Sequence, residues 1–182
     1  MNNIKRKSGF TIVEMLMVIG IIAVLLGLVS TAAITAIRHA RDRKAEACRQ
    51  IIQAGIATYR AQKDEWPGVI NDFSTGKKQV PSGAKVYRLN DDEYDEAIRD
   101  VVKESVNSKS GTPMMDVTGL IVASKGYTNR GIEFREAVKK GKKHGGSIKL
   151  ANMVFGYQES SGTFHRFQIY YNSESDHVTV SK

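Results

Sequence analysis

The chain has 182 residues, 41% of them hydrophobic and 25% charged, with a net charge of +8. That composition suits one modest globular domain plus an apolar segment. The single cysteine, Cys48, excludes an internal disulfide, and the mild basic excess does not by itself identify a nucleic-acid binder.

The first residues carry Lys5, Arg6 and Lys7, then the small pair Ser8-Gly9, then Phe10-Thr11-Ile12-Val13-Glu14. From Phe10 to Ile37 the chain is apolar, with Glu14 as its only charge and no proline. As a helix this stretch would span roughly 42 Å, enough to cross a bilayer core of about 30 Å. A carboxylate inside such a segment is costly in lipid, so it calls for a partner. The positive-inside rule puts Lys5-Arg6-Lys7 in the cytoplasm and everything after Ile37 outside, which predicts a single-pass protein of the cytoplasmic membrane. A cleaved secretory signal peptide, with Ser30-Thr31-Ala32 as its cleavage site, is the competing reading. It fails on length, since such apolar cores run about 7–15 residues, and it gives no reason for Glu14.

Residues 38–65 continue the helix. Cys48, Ile51, Ile52, Gly55, Ile56 and Tyr59 recur at three- and four-residue spacing, which predicts an apolar stripe packed on the chain's own domain. Trp66-Pro67-Gly68 should end it. Residues 68–83 read as a loop, and Lys85 to Leu89 as a short strand. Asn90 is an expected N-cap, with Asp91, Asp92 and Glu93 at the positive end of a helix. Its core face is Tyr94, Ile98, Val101 and Val102, and it ends by Asn107. Ser108 to Pro113 reads as a linker, Asp116 to Ala123 as a strand and Ile132 to Lys140 as a third helix.

Lys139-Lys140-Gly141-Lys142-Lys143-His144-Gly145-Gly146 is a basic, glycine-rich run. A solvated loop is the preferred reading, because no aromatics interleave with the charges as base stacking requires. Met153 to Gln158, a turn at Glu159-Ser160-Ser161-Gly162, Phe164 to Tyr171, a turn at Asn172 to Asp176, and Val178 with Val180 predict a three-stranded antiparallel meander. Its apolar face needs a cover, which the helical stripe can supply.

No enzyme is expected. His39, His144, His165 and His177 show no helical metal spacing, and no phosphate loop or nucleophile elbow is present. No cofactor or metal site is predicted. Asn172, Ser173, Glu174, Ser175 and Asp176 offer oxygens of the type calcium prefers, but a plain hairpin turn is the preferred reading.

The ordered set Gly9, Phe10, Thr11, Ile12, Val13 and Glu14 after a basic leader resembles the N-terminus of type IV prepilins and type II secretion pseudopilins. The resemblance implies cleavage by a prepilin peptidase between Gly9 and Phe10, N-methylation of Phe10, and subunit assembly through Glu14, which meets the terminal amine of a neighbour. It implies a pilin-like α+β fold, a long N-terminal helix on a small antiparallel sheet. The segments are then a leader (1–9), a transmembrane half-helix (10–37), an amphipathic half-helix (38–65) and a globular domain (66–182). Implied partners are other pilin-like subunits, the peptidase, an inner-membrane assembly platform and membrane lipid; nucleic acid is not expected. The function implied is a subunit of a secretion pseudopilus or a type IV pilus-like filament. The alternative is a membrane-anchored binding module such as a DNA-uptake pseudopilin. Thr31 stands where many relatives carry a helix-breaking proline, and Gly20 and Gly27 offer close helix approach. The missing disulfide leans toward a pseudopilin.

Overall fold

The computed structural model describes residues 10–81, 83–107, 113–124, 127–143 and 150–182. The chain divides into two compact units, Met1–His39 and Ala40–Lys182. The first helix, α1, runs Ile12–Lys63 and belongs in part to each.

In the first unit every described side chain is exposed, including all those from Ile12 to Ile37. No face is preferred, as suits a helix whose surroundings are apolar all round. Its few hydroxyls turn back onto the backbone. Ser30 Oγ donates to Leu26 O (2.7 Å), Thr31 Oγ1 to Leu28 O (2.9 Å) and Thr35 Oγ1 to Thr31 O (3.0 Å). Each polar group is thereby satisfied within the helix, as an apolar medium requires. The helix continues through Thr31.

In the second unit α1 buries one stripe: Ala45, Cys48, Ile52, Gly55, Ile56 and Tyr59. The expected stripe is therefore present, with Ile51 at its margin. Gly55 permits a close approach: a Cβ there would lie 2.8 Å from Met115 Sδ, so the Met115 side chain would have to shift. The helix stops two residues earlier than the sequence suggests. Asp64 adopts a left-handed conformation (φ 57°) and ends it before Trp66, which is itself buried.

The stretch expected to be a loop, 68–83, contains a short helix, α2 (Val69–Ser74), that buries Val69, Ile70 and Phe73. Turn-forming residues flank it on both sides, but its three apolar positions sit at helical spacing. Strand β1 is Val86–Arg88, and α3 is Asp91–Asn107. Asn90 caps α3 as expected: its Oδ1 accepts from Asp92 N (3.1 Å) and Glu93 N (3.0 Å). Glu93 Oε2 accepts from Asn90 N in return (3.0 Å), closing a capping box. Tyr94, Ala97, Ile98, Val101 and Val102 form the buried face.

Three further expectations are corrected. The strand predicted for Asp116 to Ala123 is β2, Ile121–Ser124. Its first half is instead a turn that Asp116 Oδ1 holds by accepting from Thr118 N (2.9 Å) and Oγ1 (2.6 Å). The predicted helix from Ile132 begins later, as α4 (Phe134–Lys143), because Ile132 and Glu133 complete strand β3 (Tyr127–Glu133). Pairing of Ile121 with Glu133 and Val122 with Ile132 makes β3 a strand although its own sequence lacks alternation. Lys139 to Lys143 are thus the end of α4 rather than a loop, and the rest of the basic run lies outside the described residues. The predicted linker from Ser108 likewise falls outside them up to Pro113.

The meander is the third correction. Phe164 to Tyr171 is two strands, β5 (Phe164–His165) and β6 (Gln168–Asn172), in different sheets. One sheet has the order β3-β2-β4-β5, with β4 at Met153–Gln158; the other has β1-β6-β7, with β7 at His177–Ser181. All pairings are antiparallel. The crossing is made at Arg166, whose Nε and Nη2 donate to Asp95 (3.2 Å each) and whose Nη1 donates to Asp91 (3.0 Å), tying it to the start of α3. Alternation continues through this break, so periodicity alone does not reveal it.

The edge of β7 is covered by α1. Gln53 Nε2 donates to Val178 O (2.8 Å), Gln53 Oε1 accepts from Val180 N (2.6 Å), and Arg49 Nη1 donates to Val180 O (3.0 Å). The side-chain amide of Gln53 stands in for a neighbouring strand and blunts the edge. Gln53→Ala is expected to cost about 1–2 kcal/mol in denaturant unfolding and to speed amide exchange at Val180. Unchanged exchange there would show that water serves the edge equally well.

Candidate processing and assembly site

Gly9 and the leader lie outside the described residues, so the site is seen from Phe10 onward. Phe10 is non-helical and 75% exposed. Thr11 is the N-cap of α1. Its main-chain N donates to Glu14 Oε2 (2.8 Å), its Oγ1 donates to the same oxygen (2.9 Å), and Glu14 N donates to Thr11 Oγ1 (3.2 Å). This is a reciprocal capping box, whose signature of Thr or Ser followed three residues later by Glu is legible in the sequence. The sequence reading found Thr11 and Glu14 as part of a pattern but missed that they bind each other.

The cap has two consequences. The carboxylate lies at the positive end of the helix dipole, which favours a negative charge there. Both donors converge on Oε2, and Oε1 has no hydrogen-bond partner among the described residues. One oxygen therefore orients the side chain, while among the described residues the other has no partner.

The loop from Asn172 to Asp176, whose oxygens are of the type calcium prefers, is a turn between β6 and β7 with its acceptors engaged by the protein. Asn172 Oδ1 accepts from Glu174 N (2.9 Å) and Ser175 N (3.2 Å), and Glu174 pairs with Lys85 (3.0 Å). Asp176, held at φ 46°, accepts at Oδ1 from Trp66 Nε1 (2.8 Å), Ser74 Oγ (2.9 Å) and Tyr171 Oη (3.0 Å). Its Oδ2 faces Arg60 Nη2 at 3.5 Å, and Arg60 also lies over the Trp66 ring. Protein donors take the oxygens a metal would use. This knot joins the ends of α1, α2 and β6, and sequence reasoning missed it because its members are far apart in the chain. Among the described residues no group of three or more His, Cys, Asp or Glu side chains is placed to hold a metal ion.

Residues 4–30 match the family described as the prokaryotic N-terminal methylation motif. The chain carries the type IV pilin-like prepilin cleavage signature. No curated protein and no solved structure matches it significantly. The signature supports a type IV pilin-like, prepilin-type N-terminus, and with the long apolar helix it suggests membrane anchoring. The architecture, a long N-terminal helix on small antiparallel sheets, agrees with a pilin-like fold.

Burial works against the charge of Asp176, but the donors Ser74, Trp66 and Tyr171, with Arg60, outweigh it and hold the carboxyl below the ordinary aspartate value. A depressed folded value means stability that is present above the unfolded value, about 3.9, and is lost as pH falls through the lower folded one. Asp176→Asn should therefore flatten the fall in stability below about pH 4. Chelator should leave the melting temperature of the native chain unchanged. A chelator-induced drop would return calcium to this loop.

Proposed function

We infer that the chain is a structural subunit of a type II secretion pseudopilus or type IV pilus-like filament. In this reading a prepilin peptidase removes residues 1–9 by cutting between Gly9 and Phe10, and Phe10 is then N-methylated. The segment 10–37 sits in the cytoplasmic membrane with the leader inside and the globular domain outside. The subunit polymerises through this helix with other pilin-like subunits, delivered by an inner-membrane assembly platform. No catalytic role is assigned to any residue.

The observation that carries the reading is the ordered set from Gly9 to Glu14 within the matched segment, opening a helix with no buried face before Arg41. Glycine at the cut leaves the backbone accessible to a peptidase. Cleavage creates an ammonium at Phe10, one helical turn from Glu14. Either charge alone is costly in lipid, and pairing offsets much of that cost. The open Oε1 of Glu14 suits the amine of a neighbouring subunit, because the carboxylate keeps its cap on Oε2 while it pairs.

Three substitutions separate cap from charge. Glu14→Gln preserves an acceptor for the capping box and removes the charge. Glu14→Ala removes both, and Glu14→Asp keeps the charge with a shorter reach. Filament yield should fall about tenfold or more for Gln and Ala, the ratio that ~1.4 kcal/mol produces, and be intermediate for Asp. Membrane insertion and leader removal should stay nearly intact in all three. Mass spectrometry of the native chain should give a mature N-terminus at methylated Phe10. A terminus near Ala33, an intact Met1, or normal filaments from Glu14→Gln would overturn this assignment.

A further inference from the structure

Among the described residues strand β1 is an edge of its sheet, with β6 on one side and no strand on the other. Ser173 N donates to Lys85 O (3.0 Å) and Leu89 N to Ile169 O (2.9 Å), so residues 85 and 89 face β6. In an antiparallel ladder the alternate residues turn their main-chain groups the other way. The N–H and C=O of Val86 and Arg88 therefore point outward. No hydrogen bond from a turn, a loop or a side chain reaches them among the described residues. The β7 edge of the same sheet is shielded by Gln53 and Arg49, whereas β1 has no such cover. Val86, at 50% exposure, is one of two large apolar side chains of the second unit that stand open among the described residues.

At the Leu89 end of this edge lies a groove of about 260 Å³, walled by Arg88, His165, Gln168 and the aromatic residues Phe164 and Phe167. Its lining carries both signs, with Arg166 and Asp91 paired to each other and Arg88 at the mouth. Arg88 makes no ion pair among the described residues. Gln168 accepts from Tyr170 Oη at Oε1, which leaves its amide N–H groups free to donate. The acid in the wall, Asp91, is already bound by Arg166 (3.0 Å). His165 lies 3.5 Å from Glu159.

We propose that the outer edge of β1 binds an extended, acidic polypeptide segment of a partner protein. The segment adds as a strand on the main-chain groups of Val86 and Arg88 and sets a carboxylate on the Arg88 guanidinium at the groove mouth. Main-chain pairing supplies register, and the planar fork of arginine matches a carboxylate in two places. A nucleic-acid strand fits less well, since it has no peptide groups to pair with the edge and would need several stacking rings. The site is separate from the membrane segment and from Glu14, so its failure would leave the filament assignment standing.

The test uses the full chain in detergent micelles and a short fluorescein-labelled peptide alternating threonine with aspartate or glutamate. Anisotropy should show saturable binding that weakens as salt is raised. The lysine counterpart should not bind. Arg88→Glu should weaken binding about tenfold or more. Val86→Pro removes an outward N–H without touching the ladder to β6, and it should weaken binding comparably. Bound peptide should slow amide exchange at Val86 and Arg88 in the wild-type chain, a readout that stands even if the proline variant fails to fold. No binding, equal binding of the lysine peptide, binding indifferent to Arg88→Glu, or unchanged exchange at those amides would each overturn the proposal.

Discussion

The second unit depends on one packing event, the burial of the α1 stripe from Ala45 to Tyr59 against the sheets and α3. Ile52 and Ile56 are almost wholly removed from water, and burying such a side chain contributes about 1.5–3 kcal/mol. Small residues set how close the layers come. Gly55 lets Met115 lie against the helix, and Gly131 in β3 admits the Phe164 ring, which a Cβ there would meet at 2.7 Å. The polar contacts follow from this placement: once the stripe is seated, Gln53 and Arg49 are carried to the edge of β7.

Polar groups drawn inside by this packing are paired with care. Glu93 and Asp95 are the buried acids, at 6% and 2% exposure. Glu93 is shared by Lys78, Tyr87 and the cap of α3. Asp95 is met by Arg166 in a two-point contact. Full burial pushes the Tyr94 phenol well above its ordinary value, so it stays neutral and donates to Phe155 O (2.9 Å). Among the described residues no buried side-chain nitrogen or oxygen lacks a partner. Asp95 is buried and Arg166 is partly exposed, so the pair adds little net stability, while loss of Arg166 would leave a buried carboxylate without its partner. It therefore enforces the crossing between sheets more than it strengthens either one.

The sequence was legible where a single local rule governed. The apolar run, the stripe at three- and four-residue spacing and the Asn90 cap each depend on residues within one or two turns of helix. The failures share a cause. β3 is a strand because β2 pairs with it, and its own residues do not alternate. The break at Arg166 is set by Asp91 and Asp95, some 70 positions earlier in the chain. The Asp176 knot gathers Arg60, Trp66, Ser74 and Tyr171 from four separate stretches. Long-range partners decided these features, and periodicity carries no record of them.

At Glu14 a local rule and the proposed assembly role meet in one residue. Its cap is dictated by Thr11 three positions away, and it would form in any helix opening with this pair. That local bond fixes the side-chain rotamer at the helix end before any neighbour arrives, so less side-chain entropy remains to be lost on pairing. The polar donors also lower the cost of carrying the charge in an apolar setting while no amine is present. In the proposed filament the cap holds the carboxylate by Oε2 and leaves Oε1 for the amine of a second subunit.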